Sequence, residues 1–271
     1  MTEREKIIHA YLGGPRLAPY MSVSQNDAAL AVELYEWNLR LGAAFQEVMM
    51  LLEVALRNAI DEQLRPWNAA QSDNTHNPGK TFNDEWISAA AIPLHGLMTV
   101  HTKNAIRYAE AARAKRPPQH PRKQAPISHD DLLSQLTFGT WPGILPNPKY
   151  LQASIPKTRI WHEAIVKAFP HTAPGSAGIL QIAEPLKRLH NLRNRVAHGE
   201  QLLEVNVNAR FGDALRILAA IDQELADWCV DVSRVRDVKK QRPHTRYNPV
   251  IGGNITEQIA KGSRTSSSPT A

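Results

Sequence analysis

The sequence predicts an all-α protein. Three features carry that expectation: apolar residues recur at helical spacing along most of the chain, helix start and stop residues punctuate the pattern, and no set of alternating strands interrupts it. A hydrophobic content of 42% in 271 residues is ample for a packed core.

The elements follow in chain order. Ser24 and Asp27 form a helix-start signature, and the pattern from 27 to about 65 is long, with Gly42 inside it and Pro66 as its predicted stop. It reads as one long helix or two in line. Residues 68–83 are polar and contain Pro78 and Gly79, so a loop is expected; helical pattern resumes near Asp84 and, beyond Pro93, runs to about Ala112. A basic, proline-rich loop, 113–126, comes next. Ser128 with Asp131 opens a short helix ending near Phe138 and Gly139, and the proline-rich stretch 140–156 reads as an irregular loop. Helices are predicted over about 157–169, over 177–197 with Gly199 as its terminator, and from about Asn208 into the 230s. The helical domain spans 1–241. Beyond Arg242, Ser, Thr, Gly and Pro dominate, and 242–271 reads as a disordered tail.

Composition narrows the setting. The first residues lack the apolar segment of a signal peptide, and the most apolar run, Val48 to Leu56, carries Glu53 in its middle. No membrane partner and a cytoplasmic location are expected. Cys229 is the single cysteine, which suits a reducing compartment and the role of a small core hydrophobe. The formal charge of +6 is unevenly spread. Arg113, Lys115, Arg116, Arg122 and Lys123 sit together without an acid, the segment from Arg234 onward is also strongly basic, and the remaining body is net negative. Attraction for RNA phosphates would have to come from that loop, from the tail, or from a few arginines focused in a cleft. The loop is either an RNA contact or a solvated basic surface.

The helix predicted over 177–197 carries the chemistry. At about 100° per residue, Ile179, Ile182, Ala183, Leu186, Leu189, Leu192, Val196 and Ala197 form one apolar stripe, and Arg193 falls in its middle. A guanidinium there needs a partner: a ligand, a subunit cleft, or a structural ion pair with Glu53, itself inside an apolar arc. Arg195 falls on the polar face and stays outside the site. His198 stands at the helix end, four residues after Asn194 and on its face. Arg193 is about 140° from His198, so the two converge only if the arginine bends or the last turn loosens. Glu53 and Arg57, four apart, either pair with each other or steer Arg193.

Leu189 to Glu200, reading Leu-His-Asn-Leu-Arg-Asn-Arg-Val-Ala-His-Gly-Glu, resembles the Arg-Asn-x-x-x-His signature of HEPN ribonucleases, specifically the Abi-like (abortive infection) family. Leu34–Asn38 and Leu52–Ile60 resemble the family's N-terminal helices. Leu133–Trp141 resembles its Leu-x-Phe-Gly-x-Trp element, and Trp161 with Phe169-Pro170 the helix after it. One departure is Gly199-Glu200-Gln201, where many members read His-Glu-Pro.

The resemblance implies a HEPN-like helical bundle with additional helices. It also implies metal-independent endoribonuclease activity without a cofactor, in which the substrate's 2′-hydroxyl attacks the adjacent phosphorus. His198 would act as general acid or base, Arg193 would hold the phosphoryl oxygens, and Asn194 would orient the histidine or the phosphate. It further implies a homodimer with a shared cleft, RNA (a tRNA among the options) as substrate, and a toxin or phage-defence role with a possible antitoxin or defence-system partner. A non-catalytic RNA- or protein-binding module, antitoxin-like or a scaffold, is the competing expectation.

Overall fold

The computed structural model describes residues 2–73, 79–147 and 154–244. Among them the regular structure is helical apart from one short hairpin, β1 (Ser72–Asp73) against β2 (Lys80–Thr81), with loops between the helices. The all-α expectation holds. The described residues divide into two compact units, one of residues 2–37 with 242–244 and the other within Asn38–Gln241.

The first unit contains α1 (Glu3–Leu12), α2 (Gly14–Val23) and the start of α3 (Ala28–Ala69). Leu17, Tyr20, Leu30, Ala31, Val32, Leu34 and Trp37 are its buried apolar residues, and the Tyr20 and Tyr35 rings meet edge to face at 5.3 Å. Asp27 accepts from Ala29 N and Leu30 N, satisfying donors that the first turn of α3 would otherwise leave open. At its other end the guanidinium of Arg242 lies 5.1 Å from the Trp37 ring. The predicted tail beyond residue 244 lies outside the described residues.

The second unit holds the remainder of α3, with α4 (Leu94–Lys115), α5 (His129–Leu133), α6 (Thr140–Ile144), α7 (Ile155–Glu163), α8 (Ser176–Ala197), α9 (Val207–Ile221), α10 (Gln223–Val232) and α11 (Val235–Lys240). α8 packs on α9 and α6, α9 on α10, and α4 on α5, α6 and α7. Trp86, Trp141, Trp161, Phe138 and Phe169 are fully buried. Each large apolar side chain so buried contributes on the order of 2 kcal/mol before entropy. Cys229 is buried too, which pushes its thiol up to about 11 and leaves it an inert core residue.

Four boundaries differ from expectation. α3 is a single helix and continues past Pro66 to Ala69, because tertiary bonds hold the turn that proline weakens. Trp67 Nε1 donates to Glu163 at 2.8 Å, and Asn68 donates to the carbonyls of Asn83 and Ala89 while accepting from Ala91 N. The predicted loop over 140–156 contains α6; its residues 148–153 lie outside the described residues. The helix expected to reach 169 ends at Glu163 and gives way to a 3₁₀ turn, Ile165–Ala168. The last predicted helix is three. Asp222 adopts an extended backbone and its side chain accepts from Glu224 N, so it ends α9 and caps α10. The Ser128 and Asp131 start signature is a full capping box, as read from the sequence.

Candidate functional site

α8 positions the signature. Gly199 has a φ of 61°, and behind it Glu200 N donates to Arg195 O at 2.8 Å while Gly199 N donates to Val196 O at 3.0 Å. This pair of bonds is a Schellman cap, and the left-handed residue in it is a glycine because a side chain would be strained there. The departure at Gly199 from the family pattern thus has a backbone role. The cap also corrects the expectation of a loosened last turn: His198 N still donates to Asn194 O at 3.0 Å, the helix stays closed, and Arg193 and His198 remain on different sides of it.

His198 is exposed at this end, whereas Arg193 and Asn194 are half-buried. The loop after His198 is held from a distance. Asn38, only 4% exposed, accepts from Leu202 N at 2.6 Å and donates to Glu200 O at 3.4 Å. Arg195 adds a bond from Nη2 to Gln201 O. Gly42 of α3 faces the same helix end, where a Cβ would meet Val196 Cγ1 at an ordinary contact distance of 3.7 Å.

Arg193 faces Glu53 of α3. Burial raises the Glu53 carboxyl above its ordinary value, and the positive charges of Arg193 and, more weakly, Arg57 oppose that rise. No salt bridge closes between Glu53 and either arginine among the described residues, so the interaction is electrostatic and Arg193 keeps donors for another anion. Arg57 lines a neighbouring cleft of about 390 Å³ with Asn58, Asp61, Arg65, Asp130 and Ser134, and its Nε is buried without an acceptor.

Asn194 does not point to His198. Its Nδ2 lies 3.4 Å from His190 Nε2, one turn back on α8. Burial and the charge of Arg193 both push the His190 imidazole down, favouring its neutral form, which can accept that bond. His190 stacks on Phe138 at 6.3 Å, and a Cβ added at Gly139 would sit 3.2 Å from its Nε2. The Phe138-Gly139 element therefore packs against the signature helix. Sequence reasoning missed His190 and Asn38; the spacing of His190, four before Asn194, was the available signal for the first.

Most of the basic side chains of the loop are tied to partners within the loop or to Asp131. Arg116 and Arg122 pair with Asp131 at 3.0 and 2.5 Å, Lys123 donates to Ala114 O, and Arg113 donates to Ala125 O, while Lys115 is exposed. Among the described residues no helix is long and apolar enough to cross a membrane, and no three His, Cys, Asp or Glu side chains converge as a metal centre requires. Comparison with family models, with curated proteins and with solved structures found no match to this chain.

Proposed function

We propose that the protein is a metal-independent endoribonuclease of the HEPN type, acting as a growth-arresting toxin or abortive-infection effector. One observation carries the reading: half-buried Arg193, held beside Glu53 without a closed ion pair, shares the C-terminal end of α8 with exposed His198. In the proposed step the 2′-oxygen bonds to phosphorus as the P–O5′ bond breaks. His198 takes the 2′-hydroxyl proton or delivers one to O5′, and Arg193 holds the phosphoryl oxygens as charge builds. The substrate supplies its own nucleophile, so the products are a 2′,3′-cyclic phosphate and a 5′-hydroxyl. Asn194, bonded to His190, contributes rigidity to the helix face.

A homodimer with a shared cleft belongs to the same reading, because α8 brings one histidine to each site and both proton transfers need a partner. α3 supports it. Leu39, Met50 and Val54 are 52, 59 and 47% exposed and form a stripe at helical spacing that leads to Glu53 and Arg57. A second copy covering the stripe would bring its seam to the edge of the site.

The test is incubation of wild type and His198→Ala with total RNA and tRNA in EDTA, followed by detection of cyclic-phosphate ends. The reading predicts cleavage by wild type and a loss of about 10²- to 10⁴-fold in the variant. Equal cleavage by both would contradict it.

A further inference from the structure

The face of α8 turned away from Arg193 carries a second arginine group. Arg188, Asn191 and Arg195 line a cavity of about 280 Å³ with Asn206 and Arg210, and no acid lines it. The acids lie behind and beside it. Asp213, 2% exposed, accepts from Arg188 Nε and Nη2 at 2.9 and 2.7 Å and from Arg216 at 2.8 Å, and it pairs with Arg210 at 3.1 Å. Glu184 lies 3.9 Å from Arg188 and Glu200 3.5 Å from Arg195. One buried carboxylate is thus shared by three guanidiniums. Arg210 registers the surplus: burial and the like charges of Arg188 and Arg216 push its guanidinium below its ordinary value, against the pull of Asp213. Arg195 Nε is the atom that faces Glu200 Oε2 at 3.5 Å, and it makes no hydrogen bond. The cavity also opens at the positive end of α9, whose N-cap is Asn206. Three guanidinium forks around a water-accessible space suit a tetrahedral oxyanion.

Position connects this cavity to the candidate site. Arg188 and Arg195 are seven residues apart, about 20° round the helix, and Asn191 and His198 stand in the same relation. His198 lies one turn beyond Arg195 on the adjoining strip of the same helix. We propose that the cavity binds a backbone phosphate of the RNA strand on the His198 side of α8, the side away from Arg193. The proposal rests on the ribonuclease reading and adds where the strand is gripped.

The experiment measures binding of a fluorescein-labelled mixed-sequence RNA of about 20 nucleotides by fluorescence anisotropy, with salt varied from about 50 to 200 mM. The full chain carries His198→Ala so that cleavage does not intrude. Adding Arg195→Gln with Arg210→Gln is expected to weaken binding about tenfold and to reduce the slope of log affinity against log salt by about 0.7, the value of one single-strand phosphate. Lys103→Gln with Arg107→Gln, the same loss of charge on the exposed face of α4, is expected to stay within about twofold. Arg195→Lys with Arg210→Lys keeps the charge and should keep the slope. If both glutamine pairs bind like the parent, the cavity proposal is overturned while the ribonuclease reading stands. If wild type neither cuts nor binds RNA, that reading fails and this one with it. Should the Arg195 and Arg210 pair unfold, Arg195→Gln alone leaves the Asp213 partners in place, and an unchanged slope for it overturns the proposal.

Discussion

Arg188 and Arg193 of α8 each face a carboxylate on another helix, and the two meetings end differently. Asp213 is buried, bonded in two places by Arg188 and joined by Arg210 and Arg216, and these partners hold its carboxyl below the ordinary value of 3.8 despite burial. Glu53 feels Arg193 and Arg57, yet burial wins and its carboxyl rises. Hydrogen bonds make the difference. Asp213 receives them from guanidiniums in contact, whereas Glu53 receives only the field of guanidiniums farther off. A charge fully bonded by the fold serves stability; a guanidinium left partly unclaimed is free to serve a ligand.

The largest effect on folding should come from Asp213→Asn. It removes the charge shared by three arginines, all of them partly exposed, so a loss of about 2–3 kcal/mol and a fall of roughly 5–10 °C in thermal midpoint are expected. A midpoint unchanged from wild type would break the comparison.

Acid titration of stability separates the two carboxylates by sign. The Asp213 carboxyl is lowered on folding, so its contribution is present above its ordinary value and is lost as pH falls through the folded one. Glu53 is raised, so its ionisation costs stability as pH climbs past its ordinary 4.5. Urea midpoints measured between about pH 3 and 7 should therefore fall less steeply on acidification for Asp213→Asn than for wild type. They should fall more steeply for Glu53→Gln.

Asn38→Ala should cost about 1–2 kcal/mol in urea unfolding, since it strands the buried Leu202 N–H. It should also lower cleavage by releasing the loop behind His198. A variant that loses stability and keeps full activity would show that this loop does not hold the site. The smallest expected effect is that of Glu53→Gln at neutral pH, within about 0.5 kcal/mol and neutral or stabilising. A loss as large as that of Asp213→Asn would place Glu53 among the structural charges.

Local rules carried much of the fold. The Ser128 box, the stripe of α8 from Ile179 to Leu192 and the glycine after it are decided within a few residues and stand where the sequence places them. Val196, by contrast, is half-buried and Ala197 exposed, because the helix end leaves the core. Pro66 misled because a missing N–H is visible in sequence, while the bonds of Trp67 and Asn68 that hold the next turn come from Glu163 and from the segment 83–91. The kink at Asp222 was hidden for a different reason: an aspartate in a polar position of a helix and one that caps the next helix look alike until the backbone turns. At the site, Arg193 was singled out by its place in an apolar stripe. His190 and Asn38 were not, since their partners Phe138, Gly139 and Leu202 are remote in sequence. Arg195 read as an ordinary exposed helix arginine because its cavity is completed by α9.

The comparison turns on Arg193, and Arg193→Gln read for RNA cleavage alongside a thermal melt tests it most directly. The account predicts cleavage reduced at least about 100-fold with a midpoint within about 2 °C of wild type. Wild-type cleavage, or a midpoint fall matching that of Asp213→Asn, would contradict it and return Arg193 to the scaffold.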